Sequence, residues 1–309
     1  MLEIPPMAFR TTTRRSSLIK LGISDGELRG PLWRRATHGH YYFAPNNQDD
    51  PMRPIHDAIG FMPRDCAISG WAAAYLNGAR ELDGRRWSDG GRDPVLLVLP
   101  KHRQIRRKEF ATVRAPLADS ELTTWGSVLI TKPERTCFEM MRRTTVEEAV
   151  VVLDAMLRAG VVSLDGIRDF LPGKAGWNGV PIARAALDLA DGRAASGPES
   201  RLRYVWQVEA GLPKPAVNVA VLDSAGAFAG IPDLLDEASG LVGEYDGGQH
   251  RELVQHTNDN AREERLESLG LVVVRATSVD LKSRRTQLVA RLRSGYQRAR
   301  GQHRRSWQI

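Results

Sequence analysis

Three acids in the C-terminal half of the chain have the types and spacing for chemistry. Asp233, Glu244 and Asp246 lie in the stretch Ile231 to His250, which reads IPDLLDEASGLVGEYDGGQH. The pattern predicts two neighbouring strands joined by a short turn at Glu237-Ala238-Ser239-Gly240. Leu241 to Tyr245 is mostly apolar, yet Glu244 and Asp246 are two residues apart and share one face of a strand. An acid inside a buried strand is costly unless its charge is compensated. A divalent cation such as Mg²⁺ (or Mn²⁺) is one compensation, because hard oxygen ligands suit it and it cancels carboxylate repulsion. An ion pair with Arg262 or Arg275 is the other. Glu199 stands three residues after Ser196, the spacing of a capping box. His250, just past the strand exit beside Gln249, has a ring suited to carrying a proton near neutral pH.

These residues need elements to bring them together. A composition shift at Asp191 to Pro198 marks the start of the domain that carries them, expected to span 191–309. A helix from Pro198 to Ala210 leads to a strand at Ala216 to Leu222. A turn at Asp223-Ser224-Ala225-Gly226 leads to a second strand ending near Asp233, and the third, Leu241 to Tyr245, carries the acids. A helix from about Asp259 to Leu269 stops at Gly270, and Leu271 to Ala276 is apolar enough for a strand inside a sheet. A last helix, Thr286 to Arg300, presents Leu288, Leu292 and Tyr296 on one face. The class predicted is α/β, a multi-domain α+β arrangement with a mixed central sheet in this final domain.

Ahead of it, residues 1–13 show no periodicity and read as a loose leader. From Ser16, SSLIKLGISDGELRG parses as helix, turn and helix, with Gly22 as the stop, Ser24 as N-cap and Glu27 at the capping-box position. Trp33-Arg34-Arg35 and His38 to Phe43 then read as a hairpin or wing. Helix-turn-helix plus wing, over residues 1–50, is a DNA-binding arrangement, in which the second helix enters the major groove and the wing touches backbone. A small helical cap with inward aromatics gives the same spacing. The region 51–190 is read as mixed α+β. It holds apolar helical runs between Ile55 and Gly78, a buried strand PVLLVLP at 94–100, and a helix from Thr145 with Val146, Val150, Leu153, Leu157 and Val161 on one side. The glycine-rich segment Pro172 to Gly179 lacks the Gly-Lys-Ser/Thr of a phosphate loop.

At 309 residues the chain calls for more than one core, and 42% hydrophobic residues can build them. The net charge of +7 suits a polyanion. From Arg275 to Ile309 there are ten Lys or Arg against the single acid Asp280. No apolar run approaches a membrane span and the N-terminus lacks a signal-peptide core, so no membrane partner and a cytoplasmic location are expected. Cys66 and Cys137 have no metal-ligand spacing and are expected to be reduced and buried.

Two segments resemble known families. LIKLGISDGELRG followed by Gly39-His40-Tyr41-Tyr42-Phe43 resembles the N-terminal winged helix of AbiEi-like antitoxins, which in many actinobacterial proteins precedes a second module. That resemblance implies operator binding, with Ser24, Glu27 and Arg29 in or beside the recognition helix and Arg34 and Arg35 near phosphates. SGPESRLR, IPDLL, GEYDGGQH and DNAREERLESLGLVVVRAT, in that order, resemble a domain related to very-short-patch-repair endonucleases, in the PD-(D/E)XK superfamily with its restriction-endonuclease-like fold. This implies that Asp233 and Glu244 hold Mg²⁺, that Glu199 assists, and that Arg262 and Arg275 contact phosphate or pair with the acids. Asp246 stands at the position of the superfamily's lysine, where it has the chemistry to ligate metal or act as base. The expected function is Mg²⁺-dependent DNA cleavage. The alternative is a non-catalytic regulator of the antitoxin type, working with a toxin or another neighbouring-gene protein.

Overall fold

The computed structural model describes residues 12–43, 49–105, 110–247, 264–301 and 306–309. The chain forms two compact units, Met1–Glu139 and Met140–Ile309. Helices and mixed sheets occur in both, as the α/β expectation requires. Among the described residues no helix is long and apolar enough to cross a membrane.

The first unit opens with β1 (Thr13–Arg14), α1 (Arg15–Lys20), α2 (Asp25–Leu28), β2 (Trp33–Thr37) and β3 (His40–Phe43). Local chemistry sets these boundaries. Gly22, at φ 87°, lets the chain turn after α1. Ser24 caps α2 in a full capping box, its Oγ accepting from the Glu27 N–H at 3.2 Å while Glu27 accepts from the Ser24 N–H at 2.7 Å. Leu18, Ile23, Leu28 and Trp33 form a small core against Tyr41 and Phe43. The hairpin β2–β3 is joined by β1, giving the order β1-β3-β2. Thr12 is buried and Thr13 lies in β1, so the leader read as loose through residue 13 is already anchored at its end.

The same unit continues through α3 (Met52–Phe61), β4 (Ala67–Ser69), α4 (Gly70–Asn77), β5 (Val95–Leu99), β6 (Phe110–Arg114), β7 (Leu122–Trp125) and β8 (Val128–Thr131). Its sheet has the order β6-β5-β4-β8-β7. All five residues of β5 are buried, as a continuous apolar run between prolines predicts. The unit division falls inside α5 (Pro133–Met141), where fully buried Arg135 bonds Glu139 and Glu121. Both cysteines are buried and free, and burial pushes the Cys66 thiol up to about 11.

The second unit begins with α6 (Val146–Arg158), α7 (Leu164–Phe170), α8 (Val180–Leu189) and α9 (Gly197–Tyr204), the last running into a π-turn at Val205–Glu209. The domain start expected at residue 191 lies within this unit, where α6 packs on both α8 and α9. After α9 come β9 (Ala216–Val217), β10 (Val221–Asp223), β11 (Phe228–Gly230), β12 (Leu234–Asp236) and β13 (Leu241–Asp246). They are followed by a helical segment at 264–268, here α10, then β14 (Val272–Thr277), α11 (Ser278–Ser283), α12 (Arg285–Arg300) and β15 (Trp307–Gln308).

The strand predicted over Ala216 to Leu222 is in fact two. Asn218 takes φ 50°, turning the chain out of β9 before β10 begins. The next expected strand likewise stops at Gly230, and the chain enters β12 only after Asp233. Consequently β10 and β11 form a side sheet, ordered β11-β10-β15. The main sheet has the order β14-β13-β12-β9, with β12 antiparallel to both β9 and β13, and β13 parallel to β14.

The two faces of the main sheet differ. One receives Trp206 and α12: a Cβ on Gly243 would lie 3.1 Å from the Trp206 ring, and one on Gly295 would lie 2.8 Å from Val274 Cγ2. Gly295, rather than the predicted Tyr296, is therefore the buried residue at that level of α12. The other face carries Leu235 and Val242, which pack with Val221, Ala229, Leu266, Leu271 and Trp307.

Candidate functional site

Strand alternation places Glu244 and Asp246 on the Val242 face of β13. Glu244 is 5% exposed, whereas Asp246 at the strand end is half-buried. Across the parallel pair the partner of Glu244 is Arg275, and the partner of Asp246 is Thr277. Glu244 and Arg275 thus occupy neighbouring positions on one face, with Arg275 half-buried.

Asp233 immediately precedes Leu234, whose partner on β13 is Gly243. That register brings Asp233 beside Glu244. Its carboxylate Oδ2 accepts a 2.7 Å hydrogen bond from the Tyr245 backbone N–H, so it is tied to the edge of β13 at the residue after Glu244. The turn beneath is fixed by Asp236, which accepts from the Ser239 N–H at 3.0 Å, and by Gly240 at φ 81°. Burial raises the pKa of the Tyr245 phenol, the Asp246 charge raises it further, and a hydrogen bond with Ser278 works in the opposite direction.

Glu199 enters from the first turn of α9. Its Oε1 accepts from Ser196 Oγ at 2.8 Å, and its Oε2 accepts from the Ala195 N–H at 2.7 Å and Asn218 Nδ2 at 3.1 Å. Both oxygens are therefore engaged at the helix start, as the capping reading predicts, although the chain reaches back to Ala195 rather than to Ser196. Asn218, which the sequence reading passed over, joins this acid to the next: its own N–H donates to the Asp233 carbonyl at 3.1 Å.

His250, Gln249 and Arg262 lie outside the described residues. Among the described residues, no group of three or more His, Cys, Asp or Glu comes together in a way that could hold a metal ion. Asp233 and Glu244, neighbours by strand register, supply two carboxylate side chains, and one or two carboxylates are the usual protein donors to Mg²⁺.

In the first unit Arg29, Arg34 and Arg35 are all exposed. Arg34 and Arg35 lie on β2, and Arg35 meets His38 at 2.7 Å across the hairpin end. Arg29 follows directly on α2, which is a single turn. Ser24 and Glu27 spend their polar atoms on each other.

No family model matches the chain. It is similar to two curated proteins of Mycobacterium tuberculosis, "Uncharacterized protein MT2308" of strain CDC 1551 / Oshkosh and "Uncharacterized protein Rv2248" of strain ATCC 25618 / H37Rv. Each is 30% identical over 177 residues, covering 56% of this chain and 63% of the relative. The chain thus spans less than two thirds of the length of these relatives. No solved structure matches.

Proposed function

We propose that this chain is a cytoplasmic DNA-binding protein whose second unit is a Mg²⁺-dependent endonuclease domain of the PD-(D/E)XK type. The observation that supports it best is the bond from the Tyr245 N–H to Asp233, which ties one carboxylate to the edge of the strand that carries buried Glu244. The strand order, with an antiparallel meander followed by a parallel fourth strand, is compatible with the restriction-endonuclease-like arrangement.

In this reading Asp233 and Glu244 hold Mg²⁺ or Mn²⁺. The bound ion would supply Lewis-acid polarisation of the scissile phosphodiester and offset the charge that develops on it. Asp246, two residues beyond Glu244 on the same face, is placed to accept a proton from water. Arg275, the register partner of Glu244, contributes the positive charge that Asp246 does not. Glu199 orders the helix start beside Asp233, and His250 is assigned proton transfer. Arg29, Arg34, Arg35 and Arg262 contact phosphates.

Incubation with supercoiled plasmid and Mg²⁺ or Mn²⁺ tests the reading directly. The parent is expected to nick or linearise the DNA, and Asp233→Ala and Glu244→Ala to lose that activity. Cutting by the alanine variants at the parent rate would refute it.

A second reading, a non-catalytic regulator of the AbiEi antitoxin type, is favoured by the acid at position 246 and by the engagement of both Glu199 oxygens. It expects preferential binding to the chain's own upstream DNA and co-purification with a toxin or other neighbouring-gene product. Equal affinity for that DNA and random DNA at moderate salt would count against it.

A further inference from the structure

We infer that Asn218 is a positioning residue that fixes Glu199 relative to Asp233, an assignment that rests on the nuclease reading above. Among the described residues Asn218 is the one non-glycine at positive φ, 50°. A turn alone accounts for that conformation, since asparagine tolerates it and glycine adopts it freely. It does not account for the side chain. Asparagine in a turn commonly spends its amide on nearby backbone. Here Nδ2 donates to the Arg193 carbonyl at 2.7 Å, 25 residues away, and to Glu199 Oε2 at 3.1 Å, 19 residues away.

The backbone of the same residue donates to the Asp233 carbonyl at 3.1 Å. One residue therefore ties together the loop before α9, the acid on the first turn of α9 and the acid that enters β12. The backbone bond to Asp233 continues the β9–β12 ladder, in which Ala216 pairs with Leu235 and Val217 with Leu234, while the positive φ takes the side chain out of the strand alternation and lets it reach Arg193 and Glu199. Glu199 and Asp233 come from elements with no ladder bond between them, and Asn218 supplies the missing link. Asn218 acts on Asp233 through its backbone and through the Glu199 helix start, and such groups one layer behind a metal-binding residue are commonly worth about 10- to 100-fold in affinity or activity.

The test uses the intact chain. Asn218→Gly keeps the positive-φ backbone and deletes the amide. Its melting temperature is expected within about 5 °C of the parent. Its kcat on supercoiled plasmid should fall about 10- to 100-fold and its Mn²⁺ affinity, measured by calorimetric titration without DNA, by a similar factor. KM should stay within about twofold. If the residue acts through Glu199, Asn218→Gly should lower kcat no further in a Glu199→Gln background. Should Asn218→Gly fail to fold, Asn218→Asp keeps the turn and the shape but sets a carboxylate against Glu199, and the same losses are expected. Parent-like kcat and Mn²⁺ affinity in the variant, or full additivity with Glu199→Gln, would overturn the positioning role and leave the nuclease reading standing. A parent that neither binds Mn²⁺ nor cuts DNA would overturn the nuclease reading and this role with it.

Discussion

Buried charges show how little of the internal bonding is written in local sequence. Asp154 is fully buried on α6; its carboxylate accepts from Arg203 Nη2 of α9 and, at 2.8 Å, from the Asp191 N–H. The helical period makes Asp154 a neighbour of Leu153 on the buried stripe, and nothing nearby names its partner 49 residues away. Capping residues are different. Ser24, Thr145 and Ser196 were legible because their partners lie three residues on, and each accepts that residue's backbone N–H. Asp154→Ala should destabilise the second unit by about 3–5 kcal/mol, since it leaves a buried guanidinium without its carboxylate. Asp154→Asn, which keeps an acceptor, should cost less. Urea unfolding followed by tryptophan fluorescence checks both, and a cost below about 1 kcal/mol for the alanine variant would mean that the Leu189 carbonyl and Gln207 satisfy Arg203 by themselves.

Element by element, apolar runs and periodicity identified the buried strands and failed where the backbone departs from a regular path. β5, β13 and β14 follow from apolar runs and alternation. The break at Asn218 does not, because asparagine reads the same in a strand as in a left-handed turn until its φ is known. The side sheet was hidden for another reason: Leu222 pairs with Gln308, at the far end of the chain. On α12, choosing Tyr296 over Gly295 followed hydrophobicity, whereas close approach of the helix to the sheet selects the residue with no side chain. Gly295→Ala places a Cβ 2.8 Å from Val274 Cγ2 and 3.0 Å from Leu241 Cδ1. Overpacking of this kind costs about 1–3 kcal/mol, against roughly 1 kcal/mol gained from helix propensity. The expected net result is a lower urea midpoint, and a raised one would show that the two side chains move aside freely.

On the scale of the whole molecule, the net charge of +7 is the feature that composition made legible, and it bears on association rather than on fold. The four acids were legible as candidates. Spacing disclosed the engagement of Glu199 at its helix start, but not that Asp233 reaches across to β13. DNA binding should weaken steeply with added salt, log affinity falling by about 0.9 for each phosphate neutralised per tenfold rise in salt. Replacing Arg34 and Arg35 together with alanine should reduce that slope by about two, as fluorescence anisotropy with a labelled duplex would measure. An unchanged slope would remove the β2 arginines from the interface.

The parallel pairing of β13 with β14 bears on how the chain comes together during synthesis. Residues 233–246 leave the ribosome well before Arg275, so a nascent chain carries Glu244 on a strand whose neighbouring edge is still open to water. The carboxylate keeps its hydration shell at that stage, and gives it up only when β14 slots in beside it and brings Arg275 to the same level of the sheet. Desolvation of the acid and arrival of a basic residue at its level of the sheet thus belong to one closing event. A chain stalled or cut before Val272 would retain the acids on an unfinished sheet with a free edge, a form prone to pairing with other chains.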